Sequence, residues 1–158
     1  MRIGQSIDIH PLKEGRALIL GGVLIEHDLG LDGHSDADVL CHACMESILG
    51  ALALGDLGKH FPDTDPLYKG ADSMQLCAKV YEMMTQKGYR IGNMDATILI
   101  EKPKLAPYIE QMRENIASVF HCSIDAISIK ATRGEKLGFV GHQEGAVCMA
   151  VCCLEKRV

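Results

Sequence analysis

Asp36-Ala-Asp-Val-Leu-Cys-His-Ala-Cys-Met-Glu-Ser-Ile-Leu-Gly-Ala-Leu-Ala53 is the stretch on which the fold turns. It predicts a helix over about 36–53. Val39, Leu40, Cys41, Ala43, Cys44, Met45, Ile48, Leu49 and Leu52 make it apolar nearly all round. Such a helix belongs inside a protein. Ser35, with Asp38 three residues on, has the form of a capping box, and Gly55 can end the helix. Asp38, His42 and Glu46 recur at i, i+4 and i+8 and form one polar stripe. A buried polar stripe is costly unless its members are paired or bind a metal. A histidine between two acids suits a metal ligand with oriented partners; an exposed stripe of i,i+4 pairs is the plainer alternative.

Upstream, residues 2–10 read as a strand. Ile3, Ile7 and Ile9 point one way, and Gly4, Ser6, Asp8 and His10 the other. Side chains two apart on a strand lie ~7 Å apart on one face, so Asp8 and His10 can converge on one ion. Carboxylate oxygen with imidazole nitrogen is a donor set suited to zinc. Alone, the pair is a weak motif and reads better as a solvated strand face. Residues 16–26 form a second strand, bent or bulged at Gly21-Gly22, and Gly30 to Ser35 a loop.

Downstream of the helix, residues 55–71 are turn-rich and irregular. A second helix covers about 72–87, capped by Asp72 or Ser73, with Leu76, Val80, Met83 and Met84 as its stripe and Gly88 as its stop. Residues 89–101 read as a strand and 106–120 as a third helix, with Pro107 in its first turn. Residues 127–132 and 144–154 are the last strands. The order β-β-α-α-β-α-β-β gives an α+β, two-layer sandwich, with helices on one face of a mixed sheet. No repeat or linker interrupts residues 1–158, so one domain is the simplest partition.

Composition narrows the function classes. The 158 residues carry a net charge of −5, with 47% hydrophobic and 23% charged residues. That balance is globular, and the acidity argues against general nucleic-acid binding. No apolar run approaches the ~20 residues of a membrane helix. No signal-peptide pattern is present, so the chain reads as cytoplasmic in type. Seven cysteines, several in apolar runs, read as buried reduced thiols. Cys41-x-x-Cys44 lacks a second pair to complete a zinc site and reads as core.

Two further segments offer chemistry. His34-Ser35 precedes the first helix, whose free N–H groups attract phosphate. Residues 130–139, Lys-Ala-Thr-Arg-Gly-Glu-Lys-Leu-Gly-Phe, supply Lys, Thr and Arg for phosphate and Glu135 for a divalent cation; a simple polar turn is the plainer alternative.

Together these pieces resemble the 2-C-methyl-D-erythritol 2,4-cyclodiphosphate synthase family. The carriers are Arg-Ile-Gly-x-x-x-Asp-x-His at 2–10, Gly-Gly-Val at 21–23 and His-Ser-Asp-Ala-Asp-Val at 34–39. Then come His42, Ala-Leu-Gly-Asp-Leu-Gly at 53–58, Phe-Pro-Asp-Thr-Asp-Pro at 61–66 and Lys-Gly-Ala-Asp-Ser at 69–73. Lys-Ala-Thr at 130–132 and Glu-Lys-Leu-Gly-Phe at 135–139 complete the set.

The resemblance implies a homotrimer with active sites at subunit interfaces. Asp8, His10 and His42 would hold zinc, and Glu135 would help hold Mg or Mn on a diphosphate. The substrate would be 4-diphosphocytidyl-2-C-methyl-D-erythritol 2-phosphate, with CMP as leaving group. It further implies that Asp56, Leu57, Gly58 and the loop Phe61, Pro62, Asp63, Thr64, Asp65 contact the erythritol part. His34 and Ser35 would contact phosphate. Ile100, Pro103, Lys104, Leu105 and Ala106, with Ala131 and Thr132, would form the cytidine pocket. Phe139 and His142 join the substrate side, and His34 and Arg133 are the candidate catalytic groups. Arg133 stands where relatives carry Thr, and it either replaces that donor with a full charge or points away. His142 stands where Arg is common, near a trimer cavity for isoprenoid phosphates. A metal-dependent phosphoesterase and a non-catalytic, isoprenoid-phosphate-binding trimer are the competing readings.

Overall fold

A computed structural model describes residues 1–157. Five strands form one mixed sheet, in the order β4-β1-β7-β5-β6. β1 (Arg2–Glu14) runs antiparallel to β4 (Leu29–Leu31) and to β7 (Gly145–Lys156). β5 (Tyr89–Leu99) is antiparallel to β7 and parallel to β6 (Ile127–Thr132). The expected mixed sheet with helices on one face is present.

α1 (Val39–Ala51) lies across β1 and β7, and most of its side chains are fully buried. Its approach requires Gly4: a Cβ there would sit 1.9 Å from the Ser47 carbonyl oxygen. Ser6 donates to the Ala43 carbonyl at 2.6 Å, which fixes the crossing point. The even-numbered positions of β1 thus face α1, and Asp8 and His10 follow Gly4 and Ser6 toward the same side.

Leu18–Ile25 is not one bent strand. β2 (Leu18–Leu20) and β3 (Val23–Ile25) pair antiparallel, with Gly21 and Gly22, both at positive φ, as the turn. Residues 29–31, read as the edge of a loop, form β4 instead, because Gly30 pairs with Lys13. The capping box does not form either. Asp38 is the N-cap and accepts the Cys41 N–H, while Ser35 accepts the Ala37 N–H. At the other end the left-handed residue after α1 is Ala53, two positions before Gly55.

The rest follows the reading closely. α2 (Leu57–His60) is one short turn within the irregular stretch. α3 (Ser73–Gln86) is capped by Asp72, and α4 (Ile109–Val119) follows a 3-10 turn at Ala106–Tyr108. α5 (Gly138–Gly141) is a further short turn. All seven cysteines are free thiols; Cys41 and Cys44 are fully buried in the core, as expected. Among the described residues, no helix is long and apolar enough to cross a membrane.

Candidate metal centre and its surroundings

β1 delivers Asp8 and His10 to one point, and α1 delivers His42 to the same point. Asp8 Oδ2 lies 2.9 Å from His10 Nε2 and 3.2 Å from His42 Nδ1, and the two nitrogens are 3.1 Å apart. A tetrahedral ion with bonds of ~2.0 Å separates its ligand atoms by ~3.3 Å. The three atoms therefore sit at the spacing of three corners of such an ion.

Their partners tell which ring nitrogens carry protons. His10 Nδ1 lies 3.0 Å from the Asp32 carbonyl, which only accepts, so Nδ1 carries the hydrogen and Nε2 presents a lone pair. Gly33 leaves room for that ring, since a Cβ there would stand 3.0 Å from it. His42 Nε2 contacts Ser35 Oγ at 3.1 Å and Ser73 Oγ at 3.0 Å, which leaves Nδ1 facing Asp8. One carboxylate oxygen and two imidazole nitrogens thus converge on one point. Asp8, His10 and His42 would hold a metal ion there, which would supply a Lewis acid to a bound ligand.

Without a metal, protons mediate the same contacts. Burial pushes the Asp8 carboxyl up, but hydrogen bonds and charge from His10 and His42 outweigh it and hold it well below the usual carboxylate range. For His10, burial opposes the charged form; Asp8 and the Asp32 carbonyl overcome it and raise the imidazole.

Asp38 and Glu46 do not flank His42 as its partners, contrary to the stripe read from spacing. Asp38 accepts the N–H groups of Gly21 and Gly22 at 2.9 and 2.8 Å, and Glu46 accepts the Leu57 N–H at 3.4 Å. Ser35 and Ser73 take that place, and Ser73 is in turn held by Asp36. Ser73 is 31 residues from His42, so no local spacing could signal the contact.

The other candidates fall into two groups. His34 Nε2 contacts the Asp65 carbonyl at 3.2 Å, which ties the residue before α1 to the 61–65 loop. In that loop Phe61 packs edge-on against Tyr68, Asp63 and Thr64 are exposed, and Asp65 caps a 3-10 turn. Pro62 is half-buried between them. Asp56 caps α2, which begins with Leu57 and Gly58.

The second group lines a cavity of about 610 Å³ where β5 and β6 end side by side. Ile100, Pro103, Lys104, Leu105 and Ala106 meet Ala131, Thr132, Arg133 and Glu135 there. That volume suits a nucleoside-sized ligand. None of the metal-centre triad lines the cavity, and Glu135 is not part of the triad's cluster. Arg133 Nε stands 4.0 Å from Glu135 Oε1, and both side chains are largely exposed. Phe139 is 42% exposed on α5, and His142 is exposed at its end.

Fold and triad together define an α+β chain that brings three side chains to one point where a metal ion could be held. The chain belongs to the YgbB family, whose model matches residues 1–155. The 2-C-methyl-D-erythritol 2,4-cyclodiphosphate synthase of Clostridioides difficile is 62% identical over 154 residues, 98% of this chain and 96% of that protein. The synthase of Chloroherpeton thalassium is 58% identical over 156 residues, 99% of each chain. Among solved structures, the bifunctional IspDF of Campylobacter jejuni matches with a TM-score of 0.94 at 39% identity over 98% of this chain. This chain spans 42% of that longer one. IspF of Plasmodium falciparum, solved as a CDP complex, matches with a TM-score of 0.87 at 33% identity, covering 99% of this chain and 97% of that one.

Proposed function

We infer that the chain is a single-domain 2-C-methyl-D-erythritol 2,4-cyclodiphosphate synthase, a lyase of non-mevalonate isoprenoid synthesis. Full-length identity of 62% to a protein of that name, together with the Asp8–His10–His42 cluster, carries the reading. The substrate is 4-diphosphocytidyl-2-C-methyl-D-erythritol 2-phosphate. An oxygen of its 2-phosphate bonds to the β-phosphorus, the bond from that phosphorus to the bridging oxygen breaks, and CMP leaves with the bridge.

The metal at the triad is zinc, since nitrogen and oxygen donors at near-tetrahedral spacing suit it. When bound, it supplies a Lewis acid at a phosphate oxygen. The protein's own residues align the two phosphates, so an intramolecular reaction needs no protein nucleophile. Ser35 accepts the Ala37 N–H, and its hydroxyl proton is offered to phosphate. His34 and the 61–65 loop, already joined, face the erythritol end together with Asp56. The cavity at 100–106 and 131–135 takes the cytidine, with Arg133 and Lys104 supplying positive charge. Glu135 helps hold a second ion, Mg or Mn, on the diphosphate.

Because triad and cavity are separate within one protomer, the complete site joins one protomer's triad to a neighbour's cavity. A homotrimer is supported by the outer sheet face. There Ile3, Ile7 and Ile9 of β1 and Met149 and Val151 of β7 are 40–66% exposed side by side. Such a patch marks an interface. In that trimer His142 lies near the central cavity, and Phe139 joins the substrate side. Phosphorus NMR of the protein with substrate, zinc and Mg tests the reaction. CMP and cyclic diphosphate are expected. Inorganic phosphate instead of CMP supports a phosphoesterase, and no turnover leaves a binding trimer. His42→Ala should lose zinc and activity while keeping its fold; full zinc content in that variant would refute the ligand assignment.

A further inference from the structure

We propose that Asp36, acting through Ser73, fixes the tautomer of His42 and so keeps the ligating nitrogen bare. Both are positioning residues. The chain of contacts has a direction. Asp36 Oδ1 accepts the Ser73 hydroxyl in a short contact, and Asp36 Oδ2 accepts the Ser73 backbone N–H at 3.0 Å. An ionised carboxylate has no proton to give, so the one hydroxyl proton of Ser73 goes to Asp36. Ser73 Oγ is then left with lone pairs only. It lies 3.0 Å from His42 Nε2, which must supply the hydrogen. In the neutral ring His42 Nδ1 is then the bare nitrogen, and it is aimed at Asp8 Oδ2 and His10 Nε2.

The backbone holds the relay in place. Asp36 N–H donates to Ala71 C=O at 3.0 Å, and Gly70 N–H donates to His34 C=O at 2.8 Å. The segment entering α1 and the one entering α3 thus run side by side, and the first residue of α3 becomes part of the metal centre's support. Ser73 is fully buried, so water does not compete for its lone pairs. Ser35 Oγ, the other neighbour of His42 Nε2, already accepts from Ala37 and keeps its own proton. Ser35 alone could donate to Nε2 as readily as accept from it, so only the Asp36–Ser73 arm sets the direction.

The relay rests on the reading of the triad as a divalent-cation site, but its core is measurable without metal. Long-range proton–nitrogen NMR on the metal-free full chain reads the tautomer of each histidine ring. The expected result is a hydrogen on His42 Nε2. With the ring neutral, a hydrogen on Nδ1 in place of Nε2 overturns the proposal, whatever the protein then binds. Zinc affinity, measured by competition with a chromophoric chelator, is the second readout. Ser73→Ala removes the acceptor and should weaken zinc by roughly 10- to 100-fold. Asp36→Asn offers Ser73 an amide donor, frees the hydroxyl proton for Nε2 and should shift the ring toward the Nδ1–H form. An unchanged tautomer and unchanged zinc affinity in Asp36→Asn overturn the proposal, even where Ser73→Ala fails to fold. Zinc binding lost with the tautomer intact overturns it as well, because the residues would then act on the metal by another route.

Discussion

The Asp38 carboxylate accepts the backbone N–H of Gly22 at 2.8 Å, and that bond ties the β2–β3 turn to the start of α1. Its other oxygen takes the N–H groups of Gly21 and Cys41 at 2.9 and 3.0 Å. Burial pushes this carboxyl up, and the three N–H donors oppose the shift. Asn at this position keeps the shape but turns one acceptor into a donor facing an N–H. Leaving a buried donor unmet costs roughly 1–3 kcal/mol. Asp38→Asn should therefore lose about 2 kcal/mol in urea unfolding, with a lower midpoint and an unchanged slope.

Gly4 sits where α1 touches β1. A Cβ there would meet Ser47 O at 1.9 Å, Ala51 N at 2.6 Å and Ala51 Cβ at 2.9 Å. Two of those atoms are backbone and cannot swing aside. Gly4→Ala must push the helix off the strand, and overpacking of this kind costs about 3 kcal/mol. Four residues along, the same displacement separates His42 from Asp8. The variant should thus lose zinc affinity together with stability, read by chelator competition and urea unfolding on one sample.

The outer sheet face carries a separate prediction. Ile7 pairs with Met149 across β1 and β7, and both are exposed at 55% and 40%. Placing a charge at an apolar interface leaves it desolvated and unpaired. On the proposed trimer, the parent should sediment as three chains and Ile7→Glu as a monomer. Its zinc content should hold, because Asp8 and His10 face the opposite side. A parent that sediments as a monomer at micromolar concentration ends the trimer reading and, with it, the shared active site.

Much of this was legible in residues 2–10, because a period of two needs no long-range information. Which face is buried was not. The isoleucines face outward, and Gly4, Ser6, Asp8 and His10 face the helix, the reverse of the usual pattern. Only the apolar α1 lying on that side, and the bare patch left on the other, resolve it. Leu29-Gly30-Leu31 is too short for any period to show, and pairing with Leu12, Lys13 and Glu14 makes it a strand. The three candidate ligands were visible as residue types at plausible spacing. Their supports were not, since Ser73 meets Asp36 across 37 positions and His10 meets the carbonyl of Asp32 across 22.

The ion pair of Lys130 with Asp95 predicts a pH dependence. Lys130 donates to Asp95 across β6 and β5 and holds that carboxyl below its ordinary value. A depressed folded value means the pair stabilises above the unfolded value near 3.9, and that stabilisation fades as pH falls through the folded value. Both side chains are about half exposed, so the contribution is at most ~1 kcal/mol. Lys130→Met should be slightly less stable than the parent at pH 7. Once pH has fallen below the folded carboxyl value, the two unfolding curves should coincide. A difference that persists there points to lost packing of the lysine stem.

Glu135 and Lys136 adopt left-handed backbone in succession, with φ of 52° and 63°. Such residues cost about 1 kcal/mol or more each when they carry a side chain. The surroundings impose it: Gly134 and Gly141 pack backbone to backbone, and a Cβ on Gly134 would lie 2.4 Å from Gly141 N. The turn holds Glu135 in the wall of the cavity beside Arg133. Glycine at 136 tolerates this φ without strain but loosens the segment. Lys136→Gly should raise the unfolding free energy by about 0.5–1 kcal/mol. If the strained turn is what aims Glu135 at the diphosphate's ion, the same variant should need several-fold more Mg or Mn for half-maximal activity, while zinc binding at the triad stays the same. Gains in both stability and metal activation would show that the strain is incidental to the site.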